Sequence, residues 1–194
     1  MAEPFRLNIG WYGGGGFAHA DWRFVREVVR GLNVQTVLEY GCGLSTELMV
    51  VMGLNVTSLE TQKPFAEAYK AAGFDVRLCD YDEGYPCLIG LWDLAFVDGP
   101  GESERHDRQK SVEHAMSRAR LMYLHDYNLN QFEQLDASPD WGAATVYTPR
   151  QSHLYYHRGH CTHEKLALLN FVLAELLKAP VHEDLLKDIG REAG

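Results

Sequence analysis

No stretch of the 194-residue sequence approaches the roughly 18 consecutive apolar residues that a helix needs to cross a bilayer. A membrane span is therefore not expected. Basic residues are scarce: 18 Lys and Arg stand against 27 Asp and Glu, a net charge of -9 at pH 7. Holding a phosphate backbone requires a basic face, so this balance argues against nucleic acid as a partner. No block of like charges stands out, and the acidity reads as general solvation. Cysteine is sparse too. Cys42, Cys79, Cys87 and Cys161 are scattered without a CxxC pair, so neither a disulfide framework nor a zinc ribbon is indicated. They read as reduced thiols in a cytoplasmic protein. The opening "MAEPFRLNIG" lacks the basic-then-apolar order of a secretory signal. Internal repeats are missing, and "GGGG" at 13–16 is the one low-complexity tract.

What is present is alternation. The length suits one domain, and short β-rich runs alternate with helical ones, the signature of an α/β fold with a mostly parallel sheet. "WRFVREVVRGL" (22–32) spaces Phe24, Val25, Val28, Val29 and Leu32 at helical intervals, with Asp21 placed to cap it. "QTVLEYG" reads as a buried first strand and "STELMVVMG" as the helix after it. "NVTSLE" (55–60) is a second strand, and "KPFAEAYKAAG" a helix with Pro64 in its first turn and Gly73 past its end. Further strands are expected at 75–81, 92–99 and 120–128, with a helix at "SVEHAMSRAR". "ATVYT" (144–148) and "SHLYYH" (152–157) lie close enough for an antiparallel pair. "EKLALLNFVLAELLK" (164–178) is apolar over more of its circumference than one packed face requires. It reads as a covered core helix or as a surface for self-association.

The chemistry collects at the carboxyl ends of the strands, where open α/β sheets bind ligands. The first turn is "GCGLST". A dinucleotide fingerprint, G-x-G-x-x-G, needs a third glycine for close helix–strand packing, and here that position is Thr46. Glu39, two residues before Gly41, would repel a pyrophosphate but suits an ammonium group. Amides after Gly41 and Gly43 open a helix and favour a carboxylate. Glu60 ends the second strand, where an acid accepts ribose hydroxyls. Together they describe a phosphate-free ligand, adenosine at one end and an amino acid at the other. S-adenosylmethionine fits that description.

"VLEYGCGLST", "VTSLE", "VRLCDY", "WDLAFVDGP" and "LMYLHDY" follow one another in an order and spacing that resemble the class I S-adenosylmethionine-dependent methyltransferases. The resemblance covers roughly residues 20–160. It implies a doubly wound, Rossmann-like sheet of seven strands with helices on both faces and an antiparallel last strand. It also implies cofactor contacts from Glu39, Gly41, Gly43 and Glu60, with Asp80 and Tyr81 near the adenine; Cys42, Ser45 and Asp98 complete the candidate set. The stretch from "WDLAFVDGPGESERHDR" to "LMYLHDYN" is similar to glucuronoxylan-type and macrocin-type sugar O-methyltransferases, which points to a hydroxyl acceptor.

Asp98, His125 and Asp126 lie at the ends of the fourth and fifth strands, beside the expected methyl group. Methyl transfer to oxygen asks the protein to align the acceptor and take its proton. His125 titrates in the right range for a base, and Asp126 or Asp98 could orient it. A rival role makes Asp98 and Asp126 ligands of Mg²⁺, although His125 stands where the macrocin-type pair has its first acid. Arg105 and His106, with Tyr127, are candidates for substrate recognition, Arg being matched to a carboxylate such as a uronate. His157, His160, Cys161 and His163 crowd one corner, but structural zinc spaces two ligand pairs across a longer loop, so packing is expected there instead. "GWYGGGGFAH" (10–19) reads as a lid or a plain loop. Two other classes compete: an NAD(P)-dependent oxidoreductase, disfavoured by Thr46 and Glu39, and a catalytically silent cofactor-binding or assembly protein on the same fold.

Overall fold

Val37, Leu38, Glu39 and Tyr40 are all inaccessible to solvent, as expected for a parallel strand covered by helices on both faces. This strand, β1 (Thr36–Tyr40), is the centre of the molecule. The computed structural model describes residues 19–100, 108–125, 135, 137–147 and 152–191. Before β1 comes α1 (His19–Gly31). After it follow α2 (Leu44–Val51), β2 (Asn55–Glu60), α3 (Lys63–Ala71), β3 (Val76–Leu78), β4 (Trp92–Val97), α4 (Gln109–Met116) and β5 (Ala119–Leu124). The chain continues through β6 (Trp141–Tyr147), β7 (Ser152–His157), α5 (His163–Phe171) and α6 (Glu183–Gly190).

The strands form one seven-stranded sheet in the order β3-β2-β1-β4-β5-β7-β6. Neighbours from β3 to β5 pair in parallel, and β7 lies antiparallel to both β5 and β6. The chain winds outward from β1 through β2 and β3, then crosses back to β4. The strand order therefore reverses between β1 and β4, where open α/β sheets leave a crevice for ligands.

Alternation along the strands sorts the core into two layers. Val37, Leu94, Phe96, Tyr123 and Tyr156 pack with Phe24 and Val28 of α1, Met49 of α2, and Leu169 and Leu173 beyond them. Leu38, Tyr40, Ala95, Val97 and Met122 pack on the opposite face with Val112 and Ala115 of α4.

The apolar 164–178 stretch is divided. α5 gives way to a π-helical segment, Val172–Leu176, and Leu166, Leu169, Val172 and Leu173 are buried. Leu168, Phe171 and Leu176 are exposed, so the stretch is a core helix on one side only. α6 was not foreseen in the sequence. It is fastened to β7 through Asp188, whose Oδ2 accepts from Tyr156 Oη and Arg158 Nε, each at 2.6 Å. The strand read at 120–128 ends at Leu124, and the helix read from 111 starts at Gln109 and stops at Met116. Among the described residues no helix is long and apolar enough to cross a membrane.

Candidate active site

Register brings the strand ends into one row. Tyr40 lies beside Leu59 of β2 and Val97 of β4, and Val97 beside Leu124 of β5. The residues that follow continue the ladder: Gly41 N donates to Leu59 O (2.8 Å), Asp98 N to Tyr40 O (3.1 Å) and His125 N to Val97 O (3.0 Å). Four groups far apart in sequence, Glu60, Gly41, Asp98 and His125, thus share one edge of the sheet.

At the switch point two glycines touch. Gly41 has φ +88°, and a Cβ there would lie 3.1 Å from Gly99 Cα; a Cβ on Gly99 would lie 2.9 Å from Gly41 Cα. The turns after β1 and β4 approach this closely only without side chains. Gly43 is different. Its φ is -177°, and a Cβ there would meet nothing within 4 Å, so space opens at the start of α2.

Glu39 sits inside this turn, fully buried. Its Oε1 accepts from Ser45 Oγ at 2.5 Å, and its Oε2 from Thr46 Oγ1 at 2.5 Å and Ser58 Oγ at 2.6 Å. Burial outweighs these hydroxyls and pushes the carboxyl from 4.5 up to about 7. Thr46 Oγ1 also accepts from Gly43 N at 2.9 Å. The threonine in the third-glycine position therefore closes the turn with its own hydroxyl, a role hidden in the sequence. Ser45, a candidate cofactor residue, spends its hydroxyl on Glu39 and is 4% exposed.

Glu60 links two turns. Its Oε2 accepts from Cys42 N at 2.8 Å and its Oε1 from Gln62 N at 2.7 Å. Cys42 contributes that amide, while its side chain packs with Ala66 and Val76 and burial pushes its thiol well up. Beyond Glu60 lies an open groove of about 690 Å³ lined by Thr61, Gln62, Lys63, Leu78, Cys79, Asp80 and Tyr81. Asp80 Oδ1 accepts from Asp82 N at 2.9 Å, tying its own loop. Lys110 holds the Tyr81 side, donating to Tyr81 O at 2.9 Å with its ammonium 4.8 Å from the ring centroid.

On the other side of the switch point, Asp98 Oδ1 is 2.8 Å from His125 Nδ1. A carboxylate oxygen only accepts, so Nδ1 carries the hydrogen. Arg108, 4% exposed, reaches Asp98 Oδ1 at 3.5 Å, Pro100 O at 3.3 Å, and His125 O. The His125 side chain is inaccessible, whereas that of Asp98 is 29% exposed. Asp98, not the histidine, is the member of the pair that a substrate can reach. Its Oδ2 makes no hydrogen bond among the described residues. Arg108 escaped the sequence reading because an arginine opening a helix after a polar loop looks like a solvated face.

Asp126, Tyr127, Arg105, His106 and the greater part of the 10–19 segment lie outside the described residues. Asp98 fits a cation poorly, since Arg108 and His125 already share its oxygen, and no cluster of three metal-binding side chains occurs among the described residues. At the histidine corner, His163 Nε2 bonds Ile189 O at 2.8 Å, Cys161 Sγ approaches Arg120 O at 3.6 Å, and His157 stacks on His160 with centroids 4.0 Å apart. His163 and Cys161 thus turn to different backbone carbonyls while His157 and His160 pack on each other. All four cysteines are free thiols.

The sheet order and strand directions are those of the Rossmann-like fold that class I S-adenosylmethionine-dependent methyltransferases have. Comparison with solved structures agrees. An O-methyltransferase from Bacillus cereus, solved in complex with S-adenosylhomocysteine, is 16% identical, with a TM-score of 0.53 over 74% of this chain and 82% of that one. A Klebsiella pneumoniae protein assigned as an O-methyltransferase is 20% identical, with a TM-score of 0.53 over 75% of this chain and 82% of that one. A Staphylococcus aureus protein assigned as a caffeoyl-CoA O-methyltransferase is 12% identical, with a TM-score of 0.53 over 73% and 85%. No protein-family model matches the sequence, and no curated protein matches it. Fold is what these likenesses establish.

Proposed function

We propose that the protein transfers a methyl group from S-adenosylmethionine to an oxygen of a small, sugar-like molecule. The observation that carries this reading is Glu60, pinned by the amides of Cys42 and Gln62 between the Gly41–Gly43 turn and the groove at 61–63 and 78–81. An acid so placed accepts ribose hydroxyls, the groove takes the base, and the space beside Gly43 takes the amino-acid end. Thr46, standing where a dinucleotide fingerprint has its third glycine, closes the turn with its hydroxyl and weighs against a pyrophosphate there. When bound, the cofactor supplies an electrophilic methyl group on a sulfonium.

Transfer then needs an aligned hydroxyl and an acceptor for its proton. Asp98 supplies both, being partly exposed and fixed through Oδ1 by His125 and Arg108. His125 acts behind it as an orienting group.

Calorimetry with S-adenosylhomocysteine tests the reading. The parent is expected to bind it, and Glu60→Ala to bind at least about tenfold more weakly, the loss of one charged hydrogen-bonding partner. Binding by NADH instead, or equal affinity of parent and variant, would refute it. With binding in hand, sugar hydroxyls are screened as acceptors using methyl-labelled cofactor, with labelled product read by mass spectrometry.

A further inference from the structure

We propose that Asp21 is a positioning residue of this site: from α1 it holds His125 doubly protonated and so fixes Asp98 from behind. The methyltransferase reading enters only in naming the reaction that Asp98 serves. Asp21 lies in the first turn of α1, where a cap was expected, yet its side chain is fully buried. Its Oδ1 accepts from Tyr123 Oη at 3.2 Å, and its Oδ2 lies 3.7 Å from His125 Nε2. On the opposite side of the same ring, Nδ1 is 2.8 Å from Asp98 Oδ1. The imidazole is therefore sandwiched between two carboxylates inside the protein.

Carboxylate oxygens only accept hydrogen bonds, so Nδ1 carries a hydrogen toward Asp98; at Nε2 the 3.7 Å approach of Asp21 is one of charge, which a second ring proton would satisfy. A neutral ring would turn a lone pair toward one of the acids in a setting with little water to screen it. Among the described residues, the charged groups near His125 are Asp21 from α1, whose other oxygen takes the Tyr123 hydroxyl, Asp98 just past β4, and Arg108 ahead of α4. With the ring protonated they make two anions and two cations. Removing the proton would leave the carboxylates of Asp21 and Asp98 on either side of an uncharged ring, which the low dielectric around Asp21 opposes. The array Asp21–His125–Asp98 thus runs from a wholly enclosed carboxylate to one that meets solvent.

The test is the ring-nitrogen spectrum of the full chain labelled with ¹⁵N-histidine, near neutral pH, with His125→Gln used to assign the signal. The parent is expected to show both nitrogens of His125 protonated. Asp21→Asn, shown to be folded by circular dichroism, is expected to lose the second proton and to leave the Nδ1–H form. A singly protonated His125 in the parent overturns the proposal, as does a parent-like spectrum in Asp21→Asn. Should that variant fail to fold, the parent spectrum decides alone. Failure of S-adenosylhomocysteine to bind would remove the proposed function while leaving the ring result standing.

Discussion

Replacing Glu39 by Gln removes a charge from a place where burial penalises charge, with little change of shape. In the folded chain the carboxyl is pushed from 4.5 up to about 7, chiefly by burial, with Asp98 nearby adding to the rise and the three hydroxyls opposing it. The folded state thus holds this proton more tightly than the unfolded state. Its stabilising contribution is full below about pH 4.5 and is lost as pH rises through about 7. A displacement of that size corresponds to about 3 kcal/mol. Gln cannot titrate. Its amide, set against Ser45, Thr46 and Ser58, obliges one hydroxyl to turn and accept, but that cost is the same at every pH. Stability of the parent minus that of Glu39→Gln should therefore fall by about 3 kcal/mol from about pH 5 to about pH 8. Titrating groups that do not interact with Glu39 cancel in the difference. Urea unfolding followed by tryptophan fluorescence at the two pH values measures it. A difference that stays flat, or grows with pH, would refute the placement of Glu39 as a buried acid strained by its own charge.

Two further substitutions separate the roles of the turn glycines. Gly41→Ala forces a side chain onto a φ of +88°, 3.1 Å from Gly99 Cα, and should lower stability by about 2 kcal/mol or more in thermal melts. Gly43→Ala meets nothing within 4 Å, so its melting temperature should match the parent while S-adenosylhomocysteine affinity drops about tenfold, a cost of order 1.4 kcal/mol. Arg108→Met strips buried acceptors, Pro100 O and His125 O, of a donor and Asp98 of one of its two cationic neighbours. A loss of about 3 kcal/mol is expected in denaturant melts, and a variant as stable as the parent would show that the guanidinium is not the tie between the fourth and fifth strand ends.

The order and kind of elements were legible in the chain because its strands are short runs rich in apolar, aromatic and β-branched residues. Helices that cover them carry a one-sided apolar pattern. Hence "TVLEY", "NVTSLE", "WDLAFV" and "SHLYYH" could be read as strands before any pairing was known. Gly41 and Gly43 likewise announced a turn, and Glu60 a second acid at the right distance. What a linear reading could not reveal is which way a polar side chain faces once neighbouring strands stack. Glu39 and His125 looked like surface-facing chemistry, yet register and the covering helices α1 and α2 enclose both. Thr46 looked like an intrusion where glycine belongs and proves to close the turn. Asp21, over a hundred residues from His125, meets its ring because α1 crosses the face of β5. Composition and periodicity are local properties and dictate local structure. Burial, hydrogen-bond partners and charge balance arise between segments distant in the chain, and those were decided only when the sheet assembled.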